Sequence, residues 1–262
     1  MLSTEVAVIG AGPAGLNAAI EAAKLGAEVM LIDENLKLGG QLTKQIHKFF
    51  GSEHHGAGIR GIDIAVDLIG QAGQAGVKMQ PNTAVWGLYD GKVLALNDEK
   101  VTYRLSAEKI ILATGASENA VAFPGWTLPG VMGAGAAQTI VNVYRVLPGR
   151  KILIVGAGNV GLIVAYQLMQ AGADVVAVLE VLPSIGGYGV HASKIARYGV
   201  PIRTSHTIME AKGTDAVESA VIVQVDERGN PIPGSEESLE VDTICIAAGL
   251  TPLTELAWIA EC

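Results

Sequence analysis

One glycine-rich turn occurs twice in this chain, and that repeat constrains the fold more than any other feature. The first copy reads Gly10-Ala11-Gly12-Pro13-Ala14-Gly15 and the second Gly156-Ala157-Gly158-Asn159-Val160-Gly161, 146 residues further on. Each follows an apolar run, Glu5–Ile9 or Lys151–Val155, and precedes a stretch of helical character that ends at Gly26 or Gly172. A second apolar run then ends on an acid, and Glu34 and Glu180 both lie 24 residues beyond the first glycine of their turn. A lone GxGxxG is a weak signal, but two in a strand–turn–helix–strand–acid context are a strong one. The first glycine permits the tight turn, the second lets a diphosphate approach the backbone, and the third lets helix and strand pack closely. Pro13 suits a first helical turn, where its missing N–H has no partner to lose. The remaining N–H groups and the helix dipole favour a phosphate there. Two bound nucleotides are expected.

The alternation of strand and helix over residues 5–34 makes a βαβ unit, which implies a parallel sheet with a right-handed crossover. Residues 151–180 repeat it. Residues 62–76 read as a helix with Ile62, Val66 and Ile69 on its apolar face. From Thr83 to Leu105 three short apolar runs, joined by Asp90-Gly91 and Asp98-Glu99, have the spacing of a small antiparallel meander. A separate strand at Lys109–Ala113 follows, and the second half closes likewise at Ile244–Ala248. The run Gly125–Pro129 reads as the linker between the halves, with Trp126 either packed in it or shielding a cofactor. The fold class is α/β, with two tandem Rossmann-like domains that each carry a small antiparallel β-meander.

The net charge of −8 argues against nucleic acid or an anionic membrane as a partner. No basic-then-apolar leader opens the chain, since Glu5 interrupts it. The apolar stretch from Gly130 to Leu147 carries Gln138, Asn142 and Arg145, which argues against a membrane span, so a cytoplasmic location is expected. Cys245 and Cys262 form no CxxC pair and no zinc spacing, and Cys245 reads as a buried strand residue. His47, His54 and His55 match no recognised ligand set, so no metal is expected. Lys44, Lys48 and Arg60 read as solvated charges, or one of them lies near a bound cofactor and stabilises its reduced, anionic state.

Closing strands that run into Ala-Thr-Gly (113–115) and Ala-Ala-Gly (247–249) resemble those of flavoproteins with two dinucleotide-binding domains. This is the pyridine nucleotide-disulfide oxidoreductase-like family, to which thioredoxin reductases belong. In that family the first domain holds FAD and an inserted second domain holds NAD(P). The resemblance implies a first domain of residues 1–119 completed by 245–262, and a second of 120–244. Gly39-Gly40-Gln41-Leu42 matches the stretch that runs beside the flavin in thioredoxin reductases, but their redox CxxC is absent here. The run from Phe123 to Met132, followed by Gly135-Ala136-Ala137-Gln138, is more specific. It looks like the α-subunits of heteromeric amine and amino-acid oxidases or dehydrogenases, such as sarcosine oxidase, opine oxidase, dye-linked proline dehydrogenase and hydrogen cyanide synthase. A later Gly-Asp segment that binds the flavin in the wider family is missing from residues 1–262. Either the natural chain is longer or another polypeptide completes the pocket.

The resemblance implies FAD held by Gly10, Gly12, Pro13, Ala14 and Gly15, by the strand end Asp33-Glu34-Asn35, and by Gly40, Gln41 and Leu42. Thr114 and Gly115 close that site, and Gly249 stands at the matching place in the second half. Asp33 and Glu34 compete as ribose ligand, because strand alternation lets only one face the site; the spacing shared with Glu180 favours Glu34. Val85 is either a backbone contact for adenine or an ordinary buried strand residue. Gly156, Gly158, Asn159, Val160, Gly161 and Glu180 would hold NAD or another adenine nucleotide. A carboxylate repels a 2′-phosphate and no arginine lies within the next dozen residues, so NAD is favoured over NADP, whereas ATP fits equally. The leading reading is an FAD-dependent oxidoreductase, or the flavin- and nucleotide-binding subunit of an amine or amino-acid dehydrogenase or oxidase. It would take a small-molecule substrate, pass hydride through flavin N5 and work as an oligomer or with a partner subunit. No side chain is assigned as a catalytic acid or base. Two alternatives stay open: an NAD(P)H-dependent reductase of the thioredoxin-reductase type without the redox disulfide, and a non-catalytic subunit whose adenine nucleotide is structural or regulatory.

Overall fold

The computed structural model describes residues 2–49, 51–53 and 56–261. The chain forms two units, one that breaks off at Ser117 and resumes at Pro252, and one spanning Glu118–Thr251. The second unit is therefore an insertion in the first. The chain returns later than the sequence indicates, because Cys245 and Ile246 lie in a strand of the second unit.

The first unit runs β1 (Leu2–Ile9), α1 (Pro13–Lys24), β2 (Val29–Ile32), α2 (Gly61–Gln74), β3 (Lys78–Gln80), β4 (Ala84–Tyr89), β5 (Val93–Asn97) and β6 (Thr102–Leu112). These strands form one sheet in the order β3-β2-β1-β6-β5-β4. β1 pairs in parallel with β2 and β6, while β4 and β5 run antiparallel. The C-terminal half of β1, Val6–Ile9, is covered on both faces, which is why that half is continuously apolar. Val8 packs with Leu16 and Ile20 of α1, and Ala7 and Ile9 pack on the other face with Leu94, Leu96 and Leu105. Leu16 and Ile20 are buried, each contributing about 1.5–3 kcal/mol of transfer free energy. At the end of α1, Gly26 adopts a φ of 93°. There the Gly26 N–H donates to the Ala23 carbonyl at 2.9 Å and the Ala27 N–H to that of Ala22 at 3.2 Å. This left-handed cap satisfies the last carbonyls of the helix.

Two local expectations change. The meander's third run and the closing strand are one element, the 11-residue β6. It pairs with β5 at one end and with β1 along most of its length. The buried face of α2 holds Ala65 and Ala72, with Leu68 and Ile69 packed beside them, and Val66 faces solvent. Ala65 is small for a reason: a Cβ on Gly39 would lie 2.9 Å from its Cβ.

The three-residue β7 (Ala116–Glu118) leads into the second unit. That unit contains β8 (Val131–Gly133), α3 (Ala134–Asn142), β9 (Lys151–Val155), α4 (Asn159–Gln170), β10 (Asp174–Glu180), α5 (Gly189–Ala196) and β11 (Ile202–Thr204). β12 (His206–Lys212), β13 (Ser219–Gln224), β14 (Glu237–Glu240) and β15 (Thr243–Ile246) complete it, and β16 (Leu250–Pro252) leads back to α6 (Glu255–Ile259) in the first unit. A parallel sheet in the order β11-β10-β9-β15-β8 carries the three helices on one face; the antiparallel β12-β13-β14 meander packs on the other. The segment read as a linker belongs to this unit. Phe123 is buried in its core, and the Pro124 and Pro129 carbonyls accept the N–H groups of Ala211 and Val217, each at 2.9 Å. A Cβ on Gly125 would lie 2.1 Å from the Ala211 oxygen, so glycine is required where the run meets the meander. Trp126 remains 44% exposed.

The α2 packing makes a stability prediction. Ala65→Leu should destabilise the protein by about 1–3 kcal/mol through overpacking, whereas Val66→Ser should stay within about 0.5 kcal/mol. Urea denaturation of the two variants measures both; equal losses would contradict this assignment of the buried face.

Candidate nucleotide-binding sites

The glycines of each turn divide into two kinds. Gly10 has a φ of 101°, and a Cβ there would lie 2.2 Å from the Ala113 oxygen. A Cβ on Gly15 would lie 1.8 Å from the oxygen of Gly10. Packing within the chain requires both. Gly12 is different: its φ is −72°, and a Cβ at that position meets nothing within 4 Å. Nothing in the described residues asks for a bare backbone there, but a diphosphate lying against it would. The second turn repeats the division. Cβ atoms on Gly156 and Gly161 would lie 2.3 Å from the Ala247 oxygen and 2.0 Å from the Gly156 oxygen, while Gly158 faces open space. Both α1 and α4 start without a side-chain cap and without an acid in the first turn. Their leading N–H groups are left for an outside acceptor. This geometry fits the diphosphate of a dinucleotide in each unit.

The acids correct the spacing argument. Asp33, not Glu34, turns inward. Its Oδ2 accepts the Ala11 N–H at 2.6 Å, and its Oδ1 accepts the Asn35 N–H at 2.8 Å and Nδ2 at 2.9 Å. Glu34 is exposed. In the second unit the Ala157 N–H donates to Glu180 Oε2 at 2.9 Å and the Leu182 N–H to Oε1 at 3.1 Å. Asp33 and Glu180 are therefore the matching residues. The offset arises in β10, where Val175 and Ala177 pair with the consecutive residues Ile152 and Leu153, leaving Val176 as an extra residue. β2 has no such bulge opposite β1. A one-residue insertion in a strand shifts everything beyond it by one position.

Other predicted residues gather unevenly. Gly40 packs on the first turn, since its Cβ would lie 2.7 Å from the Gly12 Cα, and the Gly39 N–H donates to the Ala11 oxygen at 2.9 Å. Gln41 is exposed and Leu42 buried. Val85 is partly buried among the apolar residues around Leu96. Thr83, which sequence reasoning missed, is 1% exposed and donates its N–H to the Asp33 carbonyl at 2.9 Å, placing the start of the meander beside the acid. Thr114 and Gly115 bind the returning segment: the Thr114 hydroxyl donates to the Leu253 oxygen at 2.7 Å, and the Leu253 N–H donates to the Gly115 oxygen at 3.0 Å. The Gly249 carbonyl accepts the Asn119 N–H at 3.0 Å. In the second unit the Gly187 N–H donates to the Ala157 oxygen at 3.0 Å, and the Tyr188 N–H to Asn159 Oδ1 at 2.8 Å. The Gly186-Gly187 pair is visible in the sequence as an echo of Gly39-Gly40; the aromatic residue directly after it is the signal that sequence reasoning passed over.

Cys245 is buried, and burial, reinforced by the Glu118 carboxylate, pushes its thiol up to about 12. It offers no thiolate near neutral pH. Cys262, His54 and His55 lie outside the described residues. His47 stands edge-on to Phe49, with ring centroids 5.2 Å apart. Among the described residues no three His, Cys, Asp or Glu side chains converge as metal ligands, and no helix is long and apolar enough to cross a membrane.

The two kinds of glycine predict two kinds of variant. In cofactor-free protein, Gly12→Ala and Gly158→Ala should each cost about 1 kcal/mol or less, the scale of a changed N-cap. Gly15→Ala forces backbone overlap and should cost more than about 4 kcal/mol or prevent folding. Denaturation curves of the three variants distinguish them, and equal losses would mean that Gly12 and Gly158 are packed after all.

The sequence profile of the pyridine nucleotide-disulphide oxidoreductase family matches residues 4–262. The alpha subunit of sarcosine oxidase from Rhizobium meliloti is 31% identical over 97% of this chain and 25% of its own length. An opine oxidase subunit from the same species is 28% identical over 98% of this chain and 52% of its own length. This chain thus spans between a quarter and about half of these relatives. The crystal structure of the thioredoxin reductase of T. acidophilum superposes with a TM-score of 0.76 at 21% identity, over 98% of this chain and 80% of that one. With its paired dinucleotide folds and a family match from end to end, the chain belongs to the pyridine nucleotide-disulphide oxidoreductase family.

Proposed function

We propose that this chain is the FAD- and nucleotide-binding portion of a cytoplasmic amine or amino-acid dehydrogenase or oxidase that works with a partner subunit. The observation that carries the reading is the pair of turn glycines, Gly12 and Gly158, that no packing or backbone strain among the described residues explains. The sarcosine oxidase and opine oxidase relatives, both subunits by name, support the substrate class and the partner.

When bound, FAD supplies the ring that takes up hydride at N5. This chain's own part is to bind and orient. The leading N–H groups of α1 receive the diphosphate at Gly12, against whose backbone Gly40 packs. Asp33 receives the adenosine ribose. A carboxylate offers about four acceptor positions, and three are engaged by Ala11 and Asn35. A second ribose hydroxyl would need the position that Asn35 Nδ2 holds.

In the second unit Glu180 keeps two of its about four positions for the 2′- and 3′-hydroxyls of a ribose. NAD is favoured over NADP because Val181 and Leu182 follow the acid, and because Arg203, opposite Leu179 on β11, is engaged by both oxygens of Glu237. A diphosphate is favoured over ATP as well, since residues 156–162 and 181–191 contain no Lys or Arg to offset a triphosphate. A reductase working through a dithiol has no support at Cys245, whose thiol is buried and protonated.

Anaerobic spectroscopy of the purified protein with its partner tests this. The expected result is a yellow protein that bleaches with a secondary amine or amino acid and releases FAD and NAD on denaturation. Bleaching by NADH alone would favour a reductase, and a colourless protein that takes up no added FAD would contradict the proposal.

A further inference from the structure

We propose that Tyr188 is a ligand-contacting residue of the second site, its ring stacking on the nicotinamide ring beyond the diphosphate. The inference deepens the reading of the second unit as a dinucleotide site and rests on it.

The loop from β10 to α5 leaves the strand at Glu180 and comes back to the glycine turn. It is fastened there at two points, the Gly187 N–H on the Ala157 oxygen and the Tyr188 N–H on Asn159 Oδ1. Gly187 lies close enough to the turn that a Cβ would fall 2.9 Å from the Gly158 carbonyl carbon. Glu180 binds Ala157 and Tyr188 binds Asn159, so the acid and the aromatic are anchored to opposite ends of the residues that bracket Gly158. A nucleotide whose ribose lies at Glu180 and whose diphosphate lies on Gly158 sends its far half toward Asn159 and Tyr188.

The chemistry at that end suits a ring. Tyr188 is 57% exposed, and Val160 and Val190, its neighbours on the turn and on α5, are 41% and 50% exposed. The side chains at this end that are open to a ligand are thus apolar or aromatic rather than charged. The Lys on α5, Lys194, lies over another ring, its Nζ 5.4 Å from the centroid of Tyr166. The main-chain N–H bond to Asn159 fixes the backbone of Tyr188, so only its side-chain rotamer remains to be ordered when a planar ring arrives. The first unit's loop continues from Gly40 into Gln41 and has no aromatic there, so this device belongs to the second site alone.

Calorimetric titration with NAD and with ADP-ribose, which lacks the nicotinamide, separates the roles. Tyr188→Ala should weaken NAD by about tenfold, the scale of one lost stacking contact, and leave ADP-ribose unchanged. Tyr188→Phe should bind both like the wild type. Equal weakening of NAD and ADP-ribose would mean that the loop itself is damaged and would overturn the assignment, as would unchanged NAD binding in Tyr188→Ala. A wild-type protein that binds neither ligand would overturn the dinucleotide reading together with it.

Discussion

Each unit depends on one buried hydrogen bond between a carboxylate and the main chain. Asp33 holds the Ala11 N–H, and Glu180 holds the Ala157 N–H. A bond of this charge-assisted kind contributes about 1.5–3 kcal/mol. Its structural effect is larger than its energy. It ties the end of the second strand to the middle of the glycine turn and so fixes the direction of the N–H groups that open the following helix. It also fixes the carboxylate beside the glycine turn, next to where a diphosphate would lie. The turn glycines make this approach possible: Gly10 and Gly15, or Gly156 and Gly161, allow the backbone to close on itself, and Gly12 or Gly158 leaves the outer side bare.

The two copies have diverged around this shared frame. An extra residue in β10 gives the second acid its one-residue offset, and a longer side chain, Glu in place of Asp, stands at the matching position. The rim beyond the acid is polar in the first unit, Glu34-Asn35-Leu36-Lys37, and less charged in the second, Val181-Leu182-Pro183-Ser184. The meanders differ too. In the first unit β4 and β5 extend the parallel sheet through β6, whereas in the second the meander is a separate sheet packed on the face opposite the helices.

Much of this architecture was legible because its periodicities are local. The turn glycines, the apolar strands and the glycines that end the helices all lie within a few residues of what they control. What escaped depends on pairing between strands. No sequence pattern announces that Val176 is bulged, so equal spacing pointed to Glu34 when the register makes Asp33 the match for Glu180. The run Gly125–Pro129 has the composition of a linker, yet the carbonyls of Pro124 and Pro129 accept main-chain N–H groups of Ala211 and Val217 in the second unit. Val66 sits at a helical spacing that looks apolar, but the close approach of Gly39 selects Ala65 for the buried face. Thr83 carried no signal, since its importance lies in a main-chain bond to Asp33.

The decisive measurement is a crystal structure of the protein grown with FAD and NAD. Diphosphate density is expected against the bare backbones of Gly12 and Gly158, within hydrogen-bonding distance of the first N–H groups of α1 and α4. Adenosine ribose hydroxyls are expected on Asp33 and Glu180. Ribose density on Glu34, or a diphosphate lodged away from both glycine turns, would contradict this picture of the two sites.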